Sequence, residues 1–316
     1  LSDGEGDAAQ NTLTGIGMKI ASVAIFVGMQ ACIKAADDVP PGQIVFFRSF
    51  FAIVPVLAFL AWRGELRFAF ATSRPVSHVV RGLVGVAAMG FSFFALTRLP
   101  FPETITLNYA QPLLIVMFSA IFLGEIVRAY RWTAVAVGLF GVMVISWPNL
   151  TLLTGAEGID NQQAAGVVAM LISAVISAVA ALLVRKLVHT ERTSTIVLWF
   201  SLTATIASFV SIPFGWNWLS PLQTVLLVAA GLSGGVAQIL MTQAYRHAEA
   251  SVVAPFEYTS MIFGLGLGYL LFADIPSLNT LIGGFIVIGA GLFIIWRERR
   301  LGLELTAARK AGSPPG

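Results

Sequence analysis

An ionised carboxylate at the centre of an apolar helix costs about 2.5–3.5 kcal/mol on insertion scales, so it requires a polar cavity or a partner. Glu257 stands in that position, about six residues into the apolar run 251–272. Two chemistries are open to it. It can bind a cationic or amine group, or take up a proton as coupling ion. It can also be held in a permanent ion pair, for which Lys19, in the first turns of the run 14–36, has a similar depth. Arg48 is the matching basic anomaly, six residues into the run 42–61 from the other side. Its planar fork suits a carboxylate or phosphate, and its length also permits it to snorkel to lipid headgroups. At a rise of 1.5 Å per residue the two charges are separated by roughly 12 Å along the membrane normal, too far for a direct pair.

Asn108, Tyr109 and Gln111 fall at the depth of Arg48. Pro112 follows and has no N–H for the Asn108 carbonyl, a freed acceptor that persists at membrane depth only in protein or beside a cavity. Gln238, Thr242 and Tyr245 recur at helical spacing as one polar stripe, able to line a cavity or to join helices. Tyr109 and Tyr258 could each stack on a flat solute. The candidate solute-binding residues are thus Arg48, Asn108, Tyr109, Gln111, Gln238, Thr242, Glu257 and Tyr258, with Glu257 the candidate for proton coupling.

These residues are carried by ten apolar runs: 14–36, 42–61, 76–96, 102–123, 131–147, 163–188, 193–213, 221–245, 251–272 and 278–296. A span needs about 20 apolar residues. Charged residues make up 11% of the chain and mean hydropathy is +0.85, against about a quarter charged in soluble domains. The chain reads as an all-α integral membrane protein with ten transmembrane helices. Six tryptophans, Trp62, Trp132, Trp147, Trp216, Trp218 and Trp296, fall at run ends as interfacial anchors.

Basic residues lie in alternate loops: Arg63, Arg67 and Arg74; Arg128 and Arg131; Arg185, Lys186 and Arg192; Arg246; and the segment after Trp296. The positive-inside rule places both termini in the cytoplasm of a bacterial-type inner membrane. The same dispersal argues against a nucleic-acid partner despite the pI near 9.2. Cys32 is the one cysteine, so no thiolate metal site exists, and no nucleotide or other cofactor motif is found. His78, His189 and His247 sit far apart at run ends on the basic side. The acidic start, LSDGEGDAAQ, lacks the basic opening of a signal peptide; the first run is expected to be a permanent span and the tail AARKAGSPPG to be disordered.

The chain divides into two halves. One shift of register carries Asn108-Tyr109 onto Glu257-Tyr258, Gly82 and Gly85 onto Gly231 and Gly234, Ala95 onto Ala244, Glu125 onto Asp274 and Trp147 onto Trp296. The run starts of the second half follow those of the first under the same shift. Five spans per half is an odd number, so the second half crosses the membrane in the opposite sense. Two inverted five-helix repeats are a recurring plan of secondary transporters, with the solute site near the midplane between them. The organisation is a polar N-terminal segment (1–13), a first repeat (14–147), a linker (148–162), a second repeat (163–297) and a tail (298–316).

The five-plus-five plan, the Leu123-Gly124-Glu125 ending with a basic residue after it, and the glycine-studded fifth span resemble the EamA-type branch of the drug/metabolite transporter superfamily over 14–297. The ninth run ends in Phe272-Ala273-Asp274 where that family more often has Gly-Glu. The resemblance implies an alternating-access carrier of a small organic solute such as an amino-acid, nucleoside-like or vitamin-like compound. The placement of Arg48 and Glu257 suits a zwitterion. Export of cationic drugs is the alternative within the class. A membrane enzyme on lipid-linked substrates would need paired acids or His with Asp at one interface, and the runs show no such set. Membrane lipids and the solute are the partners implied, with a proton as coupling-ion candidate; monomer and homodimer both fit.

Overall fold

The computed structural model describes residues 2–123, 128–150, 161–187, 190–247 and 250–311. Gly124-Glu125, His189 and most of the 148–162 linker lie outside the described residues. The helices are α1 (Ser2–Ala35), α2 (Pro41–Trp62), α3 (Pro75–Leu96), α4 (Phe101–Asn108), α5 (Ala110–Leu123), α6 (Ala129–Leu150), α7 (Asn161–Leu187), α8 (Thr193–Ser208), α9 (Pro221–His247), α10 (Ala250–Val253), α11 (Thr259–Phe272) and α12 (Leu278–Ala311). No strand occurs among the described residues. The chain is an all-α integral membrane protein.

From the second span onward, helices start within two residues of the positions expected. Proline sets several of these starts, Pro41, Pro75 and Pro102 occupying the first helical turn, where the missing N–H costs nothing. The first and last helices outrun expectation. α1 begins at Ser2, and α12 continues through the basic segment to Ala311. Leu301, Glu304, Leu305, Ala307 and Ala308 are strong helix formers, and no Gly-Pro signal breaks the helix after Trp296. The tail expected to be disordered is therefore helical through its first part.

Nine stretches among the described residues are long and apolar enough to cross a membrane as helices. The tenth, the ninth in order, is interrupted: α10 passes into a 3-10 turn (Ala254–Tyr258) before α11 resumes. Pro255 lies inside that turn, where it supplies no backbone donor. The fourth span is broken at the matching place, Tyr109 separating α4 from α5 three residues before Pro112. The two interruptions occupy equivalent positions of the two halves.

Packing follows the same two-fold logic. α1 lies along α9 as α3 lies along α7, and α2 meets α9 as α3 meets α8. The self-paired spans are α2 with α8, α6 with α12 and the fourth with the ninth, the last meeting through α4 and α11. Under the register shift each of these contacts maps onto another or onto itself. The glycines that matched in sequence now have a reason. A Cβ on Gly82 would collide with Thr203 of α8, and one on Gly231 with Phe51 and the Phe47 carbonyl of α2.

The loops are latched in equivalent pairs. On the basic side Glu191 accepts hydrogen bonds from Thr72 Oγ1 (2.8 Å) and the Ser73 N–H (3.3 Å), with His78 Nε2 at 3.8 Å. On the other side Gln43 and Asn217 exchange two bonds, of 3.0 and 3.1 Å. Most of the tryptophans are exposed at span ends, as anchors should be. Trp216 instead turns inward, its indole N–H donating to Ser211 Oγ at 2.8 Å and its ring stacking on Phe209.

α6 and α12 touch backbone to backbone: a Cβ on Gly283 would meet the Gly141 carbonyl and Ile145, whereas Gly266 faces open space. Gly283→Ala must separate the helices and should destabilise by about 1–3 kcal/mol, while Gly266→Ala should leave the melting temperature of the purified protein unchanged. Burial alone would push the Glu191 carboxyl up, but the Thr72 and Ser73 donors and nearby His78 outweigh it and hold it below the usual range. Its stabilisation is complete above the ordinary value near 4.3 and is lost as pH falls through the lower folded value. Melting curves taken down that window should fall more steeply for the native protein than for Glu191→Gln.

Candidate functional site

Both interruptions face the molecular two-fold. The rings of Tyr109 and Tyr258, equivalent residues of the two halves, meet edge to face with centroids 5.3 Å apart. Ser260 Oγ donates to the Glu257 carbonyl at 2.7 Å. Its one proton being so used, the 2.6 Å contact with Tyr109 has the tyrosine hydroxyl as donor. Gly291 of α12 leaves the space that the Tyr258 hydroxyl occupies; any Cβ there would overlap it. A backbone carbonyl freed by the ninth-span break thus finds a partner from the same turn.

Two chambers flank the broken fourth span. One, of about 500 Å³, is bounded by Gln30, Asn108, Tyr109, Gln111, Glu257 and Tyr258. The other, of about 490 Å³, is bounded by Arg48, Arg81, Asn108, Gln111, Phe200 and Gln238. Asn108 and Gln111 line both, so the residues around Pro112 form the wall between them.

In the first chamber Glu257 is ion-paired with Lys19. Lys19 is 1% exposed and Glu257 50% exposed in their side chains, so the lysine is sealed in protein and the carboxylate opens to the chamber. The Tyr245 ring lies 5.6 Å from the Lys19 ammonium. A solute amine approaching Glu257 has to compete with a lysine already there. In the second chamber the Arg48 guanidinium carbon lies 5.9 Å from the centre of the Phe200 ring. Arg48 therefore reaches into the protein and does not snorkel to headgroups.

The polar stripe of α9 is divided by this arrangement. Gln238 lines the arginine chamber and Tyr245 the carboxylate chamber. Thr242 joins neither; its hydroxyl bonds the Gln238 carbonyl at 2.8 Å, and it borders a smaller pocket with Arg63 and Arg246. Sequence reasoning missed Arg81, whose guanidinium carbon lies 4.1 Å from the Phe200 ring centre. A signal was there, since Arg81 stands six residues inside an apolar run just as Arg48 does.

A third charged group joins the repeats at the side opposite the basic loops. Asp274 Oδ2 lies 3.6 Å from Lys34 Nζ at the end of α1 and accepts the Phe101 N–H at the start of α4 at 2.8 Å. Just before it, Ala273 takes a left-handed φ of 53°, the conformation glycine suits. Nearby Glu103, 9% exposed, receives the Thr280 hydroxyl at 3.3 Å.

The profile of the EamA-like transporter family matches residues 13–147 and again 164–296. The chain belongs to the EamA-like transporter family. Its two matches coincide with the two five-span halves, and the family's activity is transport, not catalysis. Among similar EamA-like proteins, the pseudopaline exporter CntI of Pseudomonas aeruginosa is 30% identical over 88% of this chain and 94% of its own length. The S-adenosylmethionine uptake transporter of Rickettsia felis is 26% identical over 93% and 96%. The riboflavin transporter of Rhizobium johnstonii is 30% identical over 83% of each. A solved crystal structure superposes with a TM-score of 0.64 over 91% of this chain and 98% of the other, at 22% identity, which shows the shared fold.

The unequal burial of Lys19 and Glu257 sets an asymmetry in their energetics. Glu257→Gln leaves a sealed ammonium without its counter-ion and should cost about 3 kcal/mol or more. Lys19→Met leaves a carboxylate that chamber water can solvate, and should cost clearly less. The double variant should recover most of the Glu257→Gln loss. Melting temperatures of the three purified variants check this double-mutant cycle.

Proposed function

We propose that this protein is a secondary transporter that moves a small organic metabolite by alternating access between its two inverted repeats. The observation that carries the reading is the pair of interrupted spans meeting at Tyr109 and Tyr258, with polar chambers on either side of Asn108 and Gln111. Interrupted helices at the interface of inverted repeats are where such carriers hold their solute. Relatives that export pseudopaline and take up S-adenosylmethionine or riboflavin support a small-metabolite cargo.

In this reading Asn108, Gln111, Tyr109 and Tyr258 contact solute in the wall between the chambers, and Gln238 contacts it from α9. The basic loops face the cytoplasm of an inner membrane, with both chain ends on that side. Glu257 is the coupling group: protonation releases it from Lys19, and the freed ammonium then repels a second cation from the same chamber. Buried arginines lining the second chamber oppose a cargo that is only cationic.

Reconstituted vesicles test the carrier and its coupling together, with S-adenosylmethionine and riboflavin as first labelled solutes. The native protein should exchange solute across the vesicle membrane and accumulate it in response to an imposed pH gradient. Lys19→Met/Glu257→Gln should still exchange solute and give no response to the gradient. An unchanged gradient response in that variant would remove Glu257 from the coupling step.

A further inference from the structure

The acids and bases inside the described helices do not balance. Lys19 has Glu257, and Lys34 has Asp274. Arg48 and Arg81 have no carboxylate: neither guanidinium forms an ion pair among the described residues. Arg81 Nε and Nη1 are buried without any hydrogen-bond partner. Glu191, just before α8, is occupied by Thr72, Ser73 and His78.

The two arginines come from different helices, α2 and α3, and converge on one ring, Phe200 of α8. Both line the same 490 Å³ chamber. Glycines hold the space around them. A Cβ on Gly85 would collide with Phe200 and lie 3.4 Å from Arg81 Nη1, and one on Gly234 would collide with Met29 and lie 3.7 Å from Arg48 Nε. Gly85 and Gly234 are equivalent positions of the two repeats, and each lies beside one guanidinium. A buried charge without a partner is costly, and two like charges facing one cavity add repulsion. No carboxylate among the described residues offsets these costs, which leaves the chamber a place for an anion from outside the chain.

We propose that Arg48 and Arg81 form an oxyanion subsite that holds a carboxylate or phosphate group of the transported solute, with Phe200 aligning the two guanidinium planes and Asn108, Gln111 and Gln238 receiving the polar remainder. This deepens the transport reading by giving the cargo an acidic group. A bidentate guanidinium matches an oxyanion in a way an ammonium does not. Phe200 fixes each fork by its face, which lowers the cost of ordering them when the anion binds.

The test is binding by the purified full chain in detergent, followed by melting temperature at constant ionic strength. The probes are inorganic phosphate, succinate and the neutral analogue succinamide. Succinate or phosphate should raise the melting temperature of the native protein and succinamide should not; which anion acts at lower concentration separates a carboxylate from a phosphate subsite. Arg48→Gln and Arg81→Gln should each weaken the anion effect at least tenfold, Arg81→Lys should weaken it several-fold, and Lys19→Met/Glu257→Gln should retain it. Ligand-free Arg81→Gln should melt no lower than the native protein, since it loses an unpaired charge; a marked drop would assign Arg81 a structural role and overturn the subsite. Equal action of succinate and succinamide, no shift with either anion, or a full shift in the Arg48→Gln/Arg81→Gln protein would overturn it as well. Vesicle flux without anion-dependent binding would sink the subsite alone, and anion binding without flux of any solute would sink the carrier reading alone.

Discussion

A peptide carbonyl that loses its helical partner inside a bilayer has no water to turn to, and each such group costs several kcal/mol in hydrocarbon. Two spans of this protein accept that penalty, at Tyr109 and at Ala254–Tyr258. The rest of the fold is arranged to keep those breaks away from lipid. The fourth and ninth spans are packed on each other, their tyrosines meet at the two-fold, and Ser260 returns a hydrogen bond to the Glu257 carbonyl. α6 and α12 close in from behind, near enough that Gly291 must lack a side chain for Tyr258 to fit. What cannot be satisfied by protein faces the two chambers.

The interior carries its charge unevenly for a related reason. Where an acid and a base are both present, they tie one repeat to the other: Lys19 with Glu257, and Lys34 with Asp274, join α1 of the first repeat to the ninth span of the second. The two arginines join nothing. They belong to α2 and α3 of the first repeat and rest on an aromatic ring of the second. Ion pairs here act as fasteners between halves, and unpaired guanidinium groups mark the space that the fasteners enclose.

Much of this was legible in the sequence. The ten apolar runs announced themselves by length, and prolines fixed several helix starts to within two residues. Pro112 foretold the break at Tyr109, because a missing N–H is a local property of the chain. The matched glycines at 82 and 231 foretold equivalent helix contacts, with α8 and α2. The pairing of Glu257 with Lys19 was one of two readings that depth allowed, and only packing of α1 against the ninth span decided it. Arg48 could have snorkelled; the choice was made by Phe200, far away in sequence. Thr242 shared a face with Gln238 yet bonded its own helix, since a threonine hydroxyl always has a carbonyl one turn back within reach. The Ala-Asp ending of the ninth span, at odds with the family's Gly-Glu, keeps glycine's backbone geometry at Ala273 and an acid where Lys34 needs one.

α1 touches the ninth span through charge at two places fifteen residues apart, near opposite membrane faces. A helix of that length is stiff, so the two lysines are carried by one rigid body. Parting α1 from the ninth span along its whole length would strand two carboxylates and two ammonium groups at once, whereas either pair alone would strand one of each.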